Sequence, residues 1–216
     1  MGIAFEKPDR CRVHPGRYTG WSSYSGTVND NGTNKSVTIS PPTGNLFFRL
    51  EHQWADRSES GTVNLKIICG GQTGADRAAL DWAIEYGTPH GGWCPKGRKA
   101  EDGPIDLRYT MQETPSSNYE QRTEWNVSDS HGTVVLSIAA RLTGGSKKTV
   151  EMAHKHHKPV LHLSREAGPS MPQQKLLCFL RKHRIKILNV AGPRASKEPE
   201  VAGFVKQVLD RTWPTT

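Results

Sequence analysis

From residue 63 onward, short apolar runs alternate with stretches in which apolar positions recur every three or four residues. The runs at Leu65–Cys69, Pro89–Trp93, Thr133–Ser137, Val160–Leu163 and Ile185–Val190 have the length and β-branched content of buried strands. The stretches between and after them predict helices at about Ala75–Tyr86, Ser117–Ser128, Ser146–His157, Pro172–His183 and Glu198–Thr212. Strands separated by helices imply right-handed crossovers and a sheet buried on both faces. The expected fold class is therefore α/β, doubly wound, with a mainly parallel five-stranded sheet and helices on both faces. Residues 1–62 break the pattern. They are rich in Ser, Gly, Thr, Asn and Pro and hold no sustained period, which predicts an irregular N-terminal extension, largely disordered or loosely structured. Two short runs there, Ser36–Ser40 and Asn45–Leu50, are candidate strands. The functional domain is expected at residues 63–216.

Composition narrows the class. A chain of 216 residues with 34% hydrophobic and 23% charged residues suits one globular domain with an appendage. No run reaches the roughly 18 apolar residues of a membrane span, and the N-terminus lacks the apolar segment of a signal peptide. The expectation is a soluble, cytoplasmic protein with no membrane partner. The net charge of +8 favours anionic partners. Residues 1–62 carry seven Lys and Arg against six Asp and Glu, so the charge belongs to the later domain. The densest basic groups, Lys147-Lys148 and Arg181-Lys182-His183-Arg184, fall on predicted helices. That pattern suits solvated helix faces and a small phosphorylated ligand better than a nucleic acid, which stays a lesser alternative. The four cysteines, Cys11, Cys69, Cys94 and Cys178, form no CxxC pair or zinc spacing, and reduced thiols are the simplest reading.

Two glycine-rich segments follow strands and open helices. The first supplies Gly70, Gly71, Gln72, Thr73, Gly74 and Asp76 as candidate ligand or phosphate contacts. Its glycines permit positive φ and close approach, and the first amides of the next helix are expected to face outward toward an anion. Its spacing is neither GxGxxG nor GxxxxGK[ST]. The second segment supplies Thr143, Gly144, Gly145, Ser146 and Thr149 by the same reasoning. Between them a Gly- and Pro-rich loop, residues 91–105, is long enough to cover a cleft. It offers Lys96 and Arg98 for phosphates, Trp93 for stacking on a base, and Glu101 or Asp102 for a ribose or a cation. On the helix that follows, Arg122 and Asn126 share a face and Trp125 is expected in the core. His154 and His157 form one i,i+3 pair with no third ligand evident, so no metal site is expected.

The segments GGQTGADRAALDWA, GGWCPKGRKAEDG, YEQRTEWNVSDSHGTVVLS, LTGGSKKTVEMAHKHHKPVLHL and LNVAGPRASKEP, in this order, resemble the proteins named putative molybdenum carriers. These form the circularly permuted YpsA-like branch of the SLOG superfamily and are related to the cytokinin-activating phosphoribohydrolases. The resemblance covers about residues 64–212. It implies a Rossmann-like domain that binds a nucleotide-derived or pterin-type ligand, with the molybdenum cofactor or a nucleotide as the candidate. Molybdenum, on this reading, arrives in a phosphate-bearing pterin and not on protein side chains. The phosphoribohydrolase relatives imply an alternative, cleavage of the N-glycosidic bond of a nucleoside monophosphate, with Arg122 and Glu151 at the catalytic positions. Their PGGxGTxxE motif is altered here by Thr143, Lys147 and Lys148, which leaves the enzymatic alternative open. Rossmann-like relatives often pair through helices, so a homodimer is also an expectation.

Overall fold

The structure, a computed structural model, describes residues 65–167 and 171–213 throughout, together with the backbone of three short strands before them. The chain divides into two units, Met1–Val63 and Asn64–Thr216. In the first, Lys35–Thr38 pairs antiparallel with both Gly2–Ala4 and Val28–Asp30. The strand expected at Ser36–Ser40 thus overlaps an observed one; Asn45–Leu50, and the looseness expected of the remaining extension, lie outside the described residues.

The second unit holds a five-stranded parallel sheet. Its strands are β1 (Lys66–Ile68), β2 (His90–Gly91), β3 (Gly132–Ser137), β4 (Val160–Ser164) and β5 (Ile187–Ala191), in the spatial order β4-β3-β5-β1-β2. The helices are α1 (Ala75–Glu85), α2 (Tyr119–Asp129), α3 (Gly144–Lys155), α4 (Pro172–Lys182) and α5 (Val201–Thr212). The fold is α/β, Rossmann-like and doubly wound, with helices on both faces. From β1 the chain steps outward to β2, and from β3 it steps the opposite way to β4, so right-handed crossovers place α1 and α3 on opposite faces. Accordingly α1 and α4 both pack on α5, while α2 packs on α3.

The sequence explains the layers. All six residues of β3 are buried, and Val134, Val135 and Leu136 are fully so, as a central strand covered on both faces requires. On α1 the buried Ala75, Ala79 and Ala83 give close approach to the sheet, and Trp82 adds bulk toward α5. The carboxylate of Asp210 on α5 accepts hydrogen bonds from Trp82 Nε1 at 3.0 Å and Tyr86 Oη at 3.1 Å. That gives both aromatic donors a partner at the layer's edge.

Three sequence expectations are corrected. The strand expected over Pro89–Trp93 is cut at Gly92, which has φ 122 and whose Cβ would stand 2.2 Å from the Cys69 carbonyl oxygen. Only His90–Gly91 joins the sheet, and Trp93–Cys94 pairs instead with Gln112–Glu113. Trp125 is half-buried, not in the core, and meets Trp93 edge-on at 4.6 Å. Cys69 and Cys94 are buried free thiols, whereas Cys178 is disulfide-bonded, so the reading of four reduced thiols does not hold. Among the described residues no helix is long and apolar enough to cross a membrane.

Candidate functional site

The first glycine segment leaves β1 and turns into α1. Gly71 and Gly74 take φ 70 and 78, as the turn requires. Gly70 is needed for a different reason: a Cβ there would lie 1.6 Å from Arg122 Nη1, so the missing side chain makes room for a guanidinium. The expectation of outward-facing amides is corrected here. Gln72 N donates to Asp76 Oδ2 at 3.3 Å, Thr73 N to Gln72 Oε1 at 3.0 Å, Ala75 N to the Pro193 carbonyl at 3.2 Å and Arg77 N to the Gln72 carbonyl at 3.0 Å. The turn closes on acceptors of its own protein, and the Asp76 carboxylate takes the place an external anion would occupy.

Arg122 reaches this carboxylate from α2. Its Nη1 lies 3.3 Å from Asp76 Oδ2, with side chains 15% and 4% exposed. Burial pushes the Asp76 carboxyl above its ordinary value, and Arg122 together with the amides of Gln72 and Gly70 pulls the other way. Arg122 Nε is buried without a hydrogen-bond partner among the described residues. One turn on, Asn126 clamps the backbone of Trp93, accepting from its N at 2.8 Å and donating to its O at 2.9 Å. Trp93 therefore serves the junction of α2 with the loop; its Nε1 donates to Asp129 at 2.7 Å.

The second glycine segment behaves differently. Thr143 is extended, with φ −134 and ψ 167, and supplies no side-chain cap, so α3 begins directly at Gly144, two residues before the start expected at Ser146. The first amides of a helix lack intrahelical partners and carry the positive end of its dipole. Here they open onto a cleft of about 450 Å³ lined by Thr143, Gly144, Gly145, Ser146 and Thr149, with Gln72, Asp76 and Arg122 opposite. Thr149 Oγ1 turns back to donate to the Gly145 carbonyl at 2.9 Å. A further wall comes from the stretch between Ala191, the last residue of β5, and Glu198. The cleft thus lies at the carboxyl ends of β1, β3 and β5, where the winding reverses.

Charged side chains line the same space. Arg141, Lys148, Arg194 and Lys197 contribute cations, and Glu120 and Glu198 contribute carboxylates. Lys148 pairs with Glu120, and Arg194 lies 3.6 Å from Glu101. Arg141 and Lys197 are exposed and make no ion pair among the described residues. Glu198 Oε2 accepts the backbone N–H of Ile138 at 2.5 Å.

Several sequence candidates fall outside this lining: Gly70, Gly71, Thr73, Gly74, Lys96, Arg98 and Glu151. Arg98 spends its donors on the carbonyls of Ile105, Asp106 and Tyr109, which ties down the loop. Lys96 is exposed. Glu151 projects from the outer face of α3, 58% exposed, and meets Lys147 at 3.7 Å. Asp102 binds Arg77. Glu101 is a bracket: it accepts from Thr73, from Ser196 Oγ at 2.5 Å and from Ser196 N at 3.2 Å, joining three loops. These hydrogen bonds, led by that of Ser196, hold its carboxyl below the ordinary value. Among the described residues no three His, Cys, Asp or Glu side chains are grouped to hold a metal ion.

The sequence reading missed Arg141, Arg194, Lys197 and Glu198 as cleft residues. A signal existed, because Gly192-Pro193 is a third glycine turn at a strand end. A Cβ on Gly192 would stand 2.2 Å from the Leu136 carbonyl oxygen and 2.6 Å from Ala75 Cβ, so β5 can leave the sheet here only as glycine.

The model of the circularly permutated YpsA SLOG family matches residues 67–213. The chain is also similar to the solved structure of a putative molybdenum carrier protein from Syntrophus aciditrophicus SB, with 46% identity over 68% of this chain and 94% of that one and a TM-score of 0.65. Among functionally curated proteins, none matches.

Proposed function

Since the chain belongs to the circularly permutated YpsA SLOG family, we propose that its cleft binds a phosphorylated ligand of the nucleotide-derived or pterin type. One observation carries this reading: the N-terminus of α3, uncapped and begun by two glycines, opens into a cleft of about 450 Å³ that Arg122 also lines. Helix-terminal amides suit phosphate oxygens, and Arg141 and Lys197, which make no ion pair among the described residues, add attraction from the cleft lining. The volume is that of a small-molecule site.

A molybdenum-carrying role is supported by the similar protein's name alone. On our reading the metal would enter within a phosphate-bearing pterin, gripped through its phosphate by the α3 amides. The phosphoribohydrolase alternative, as the resemblance implies it, places Glu151 at the glycosidic bond, and Glu151 does not line the cleft. We therefore place ligand binding ahead of hydrolysis, and nucleic-acid binding behind both.

Calorimetric titration of adenosine 5′-monophosphate into the full chain tests the proposal. We expect binding by the native chain and about tenfold weaker binding by the Arg141→Glu/Lys197→Glu double variant, near 1.4 kcal/mol. Both positions are exposed, so the fold should be unaffected. Unchanged affinity in the double variant would contradict the proposal. Chromatography of the same mixtures should show no free adenine; release abolished by Glu151→Gln would restore the hydrolase reading.

A further inference from the structure

Three carboxylates line the cleft, and two of them are already matched by cations. Asp76 is held by Arg122, and Glu120 by Lys148. Glu198 makes no ion pair among the described residues. Its place is nonetheless fixed. Oε2 accepts the Ile138 amide at 2.5 Å, and its own backbone N–H donates to the Arg194 carbonyl at 3.1 Å within the turn that leads into α5. Ile138 immediately follows β3, so the carboxylate is anchored at the carboxyl end of the central strand. Oε1 has no partner among the described residues. An ionised carboxylate is an acceptor only. In a cleft whose other features attract anions, an unpaired carboxylate repels a bare oxyanion and favours a ligand that brings O–H or N–H donors beside its phosphate.

We infer that Glu198 reads vicinal hydroxyl groups on a sugar or sugar-like portion of the ligand, which makes the cleft selective for phosphate esters of polyols over simple oxyanions. The inference rests on the phosphate site proposed above. The phosphate sits at the α3 amides, and the hydroxyls donate to Glu198 across the cleft. Glu198 is half-buried and held in place through Oε2, and a fixed acceptor that only the right ligand supplies with donors favours that ligand over a bare oxyanion.

Ribose 5-phosphate and methyl phosphate, titrated calorimetrically into the full chain, separate the two contributions. The native protein should bind ribose 5-phosphate at least about tenfold tighter than methyl phosphate. Glu198→Gln keeps an oxygen for the Ile138 amide; it should bring the ratio within about threefold and leave methyl phosphate binding equal or tighter. Glu198→Asp, which withdraws the carboxylate by one methylene, should lower the ratio in the same direction. Thermal unfolding of each variant checks that the fold is intact. Methyl phosphate binding with no preference for the sugar phosphate, or a preference unchanged in Glu198→Gln, would overturn the role of Glu198 alone. Binding of neither probe by the native chain would overturn the phosphate site and this inference with it.

Discussion

Gly70 and Arg122 show how single residues build the site. The guanidinium occupies the space a side chain at 70 would fill, so Gly70→Ala must displace it from Asp76. We expect a loss of about 1–3 kcal/mol in urea unfolding, in the range of overpacking. Gly145→Ala, whose Cβ meets nothing within 4 Å, should stay within about 0.5 kcal/mol of the native protein. Equal losses in the two variants would contradict this account. Asp76→Ala leaves a guanidinium largely buried without its counter-charge and should cost about 3–5 kcal/mol. Both Arg122 and Asp76 stand out in the sequence, yet their contact does not, because 46 residues separate them and no local period encodes the pairing. The same holds for Glu198, whose neighbours in sequence mark only a surface turn and whose partner Ile138 lies 60 residues away.

Among the elements, periodicity located all five helices and the strands that join the sheet, since amphipathic faces and buried runs are local properties. It misjudged β2 and the start of α3, where glycine geometry overrides pattern. It also could not distinguish two similar glycine segments: one is closed by its own Asp76, and the other opens on a cleft. That difference depends on a side chain folding back, which spacing does not reveal. Glu101 ties three loops around the closed turn, and its acid dependence is testable. Its carboxyl lies below the ordinary 4.5 in the folded protein, so its contribution is complete above 4.5 and is lost as pH falls through the lower folded value. Urea unfolding should show the native chain more stable than Glu101→Gln at about pH 6, with the gap narrowing as pH falls below 4.5. A gap independent of pH would refute the bracket. At the other edge, Asp210→Ala removes the acceptor shared by Trp82 and Tyr86 and should cost about 1–3 kcal/mol.

At the scale of the whole domain, parallel pairing was legible from the alternation of strands and helices. The order β4-β3-β5-β1-β2 was not, because it is set by which crossovers reverse and by nothing within a strand. That order brings the ends of β1, β3 and β5 together and so makes one cleft from segments that are far apart in the chain. The central claim is that this cleft, at the N-terminus of α3, is the anion site and that the first glycine turn is not. A crystal structure of the full chain grown with phosphate tests it most directly. We predict a phosphate within hydrogen-bonding distance of the amides of Gly144, Gly145 and Ser146, on the side facing Arg122, with Asp76 still closing its own turn. Phosphate bound instead at the amides of Gly70–Gly74, with the Asp76 carboxylate expelled, would contradict the account.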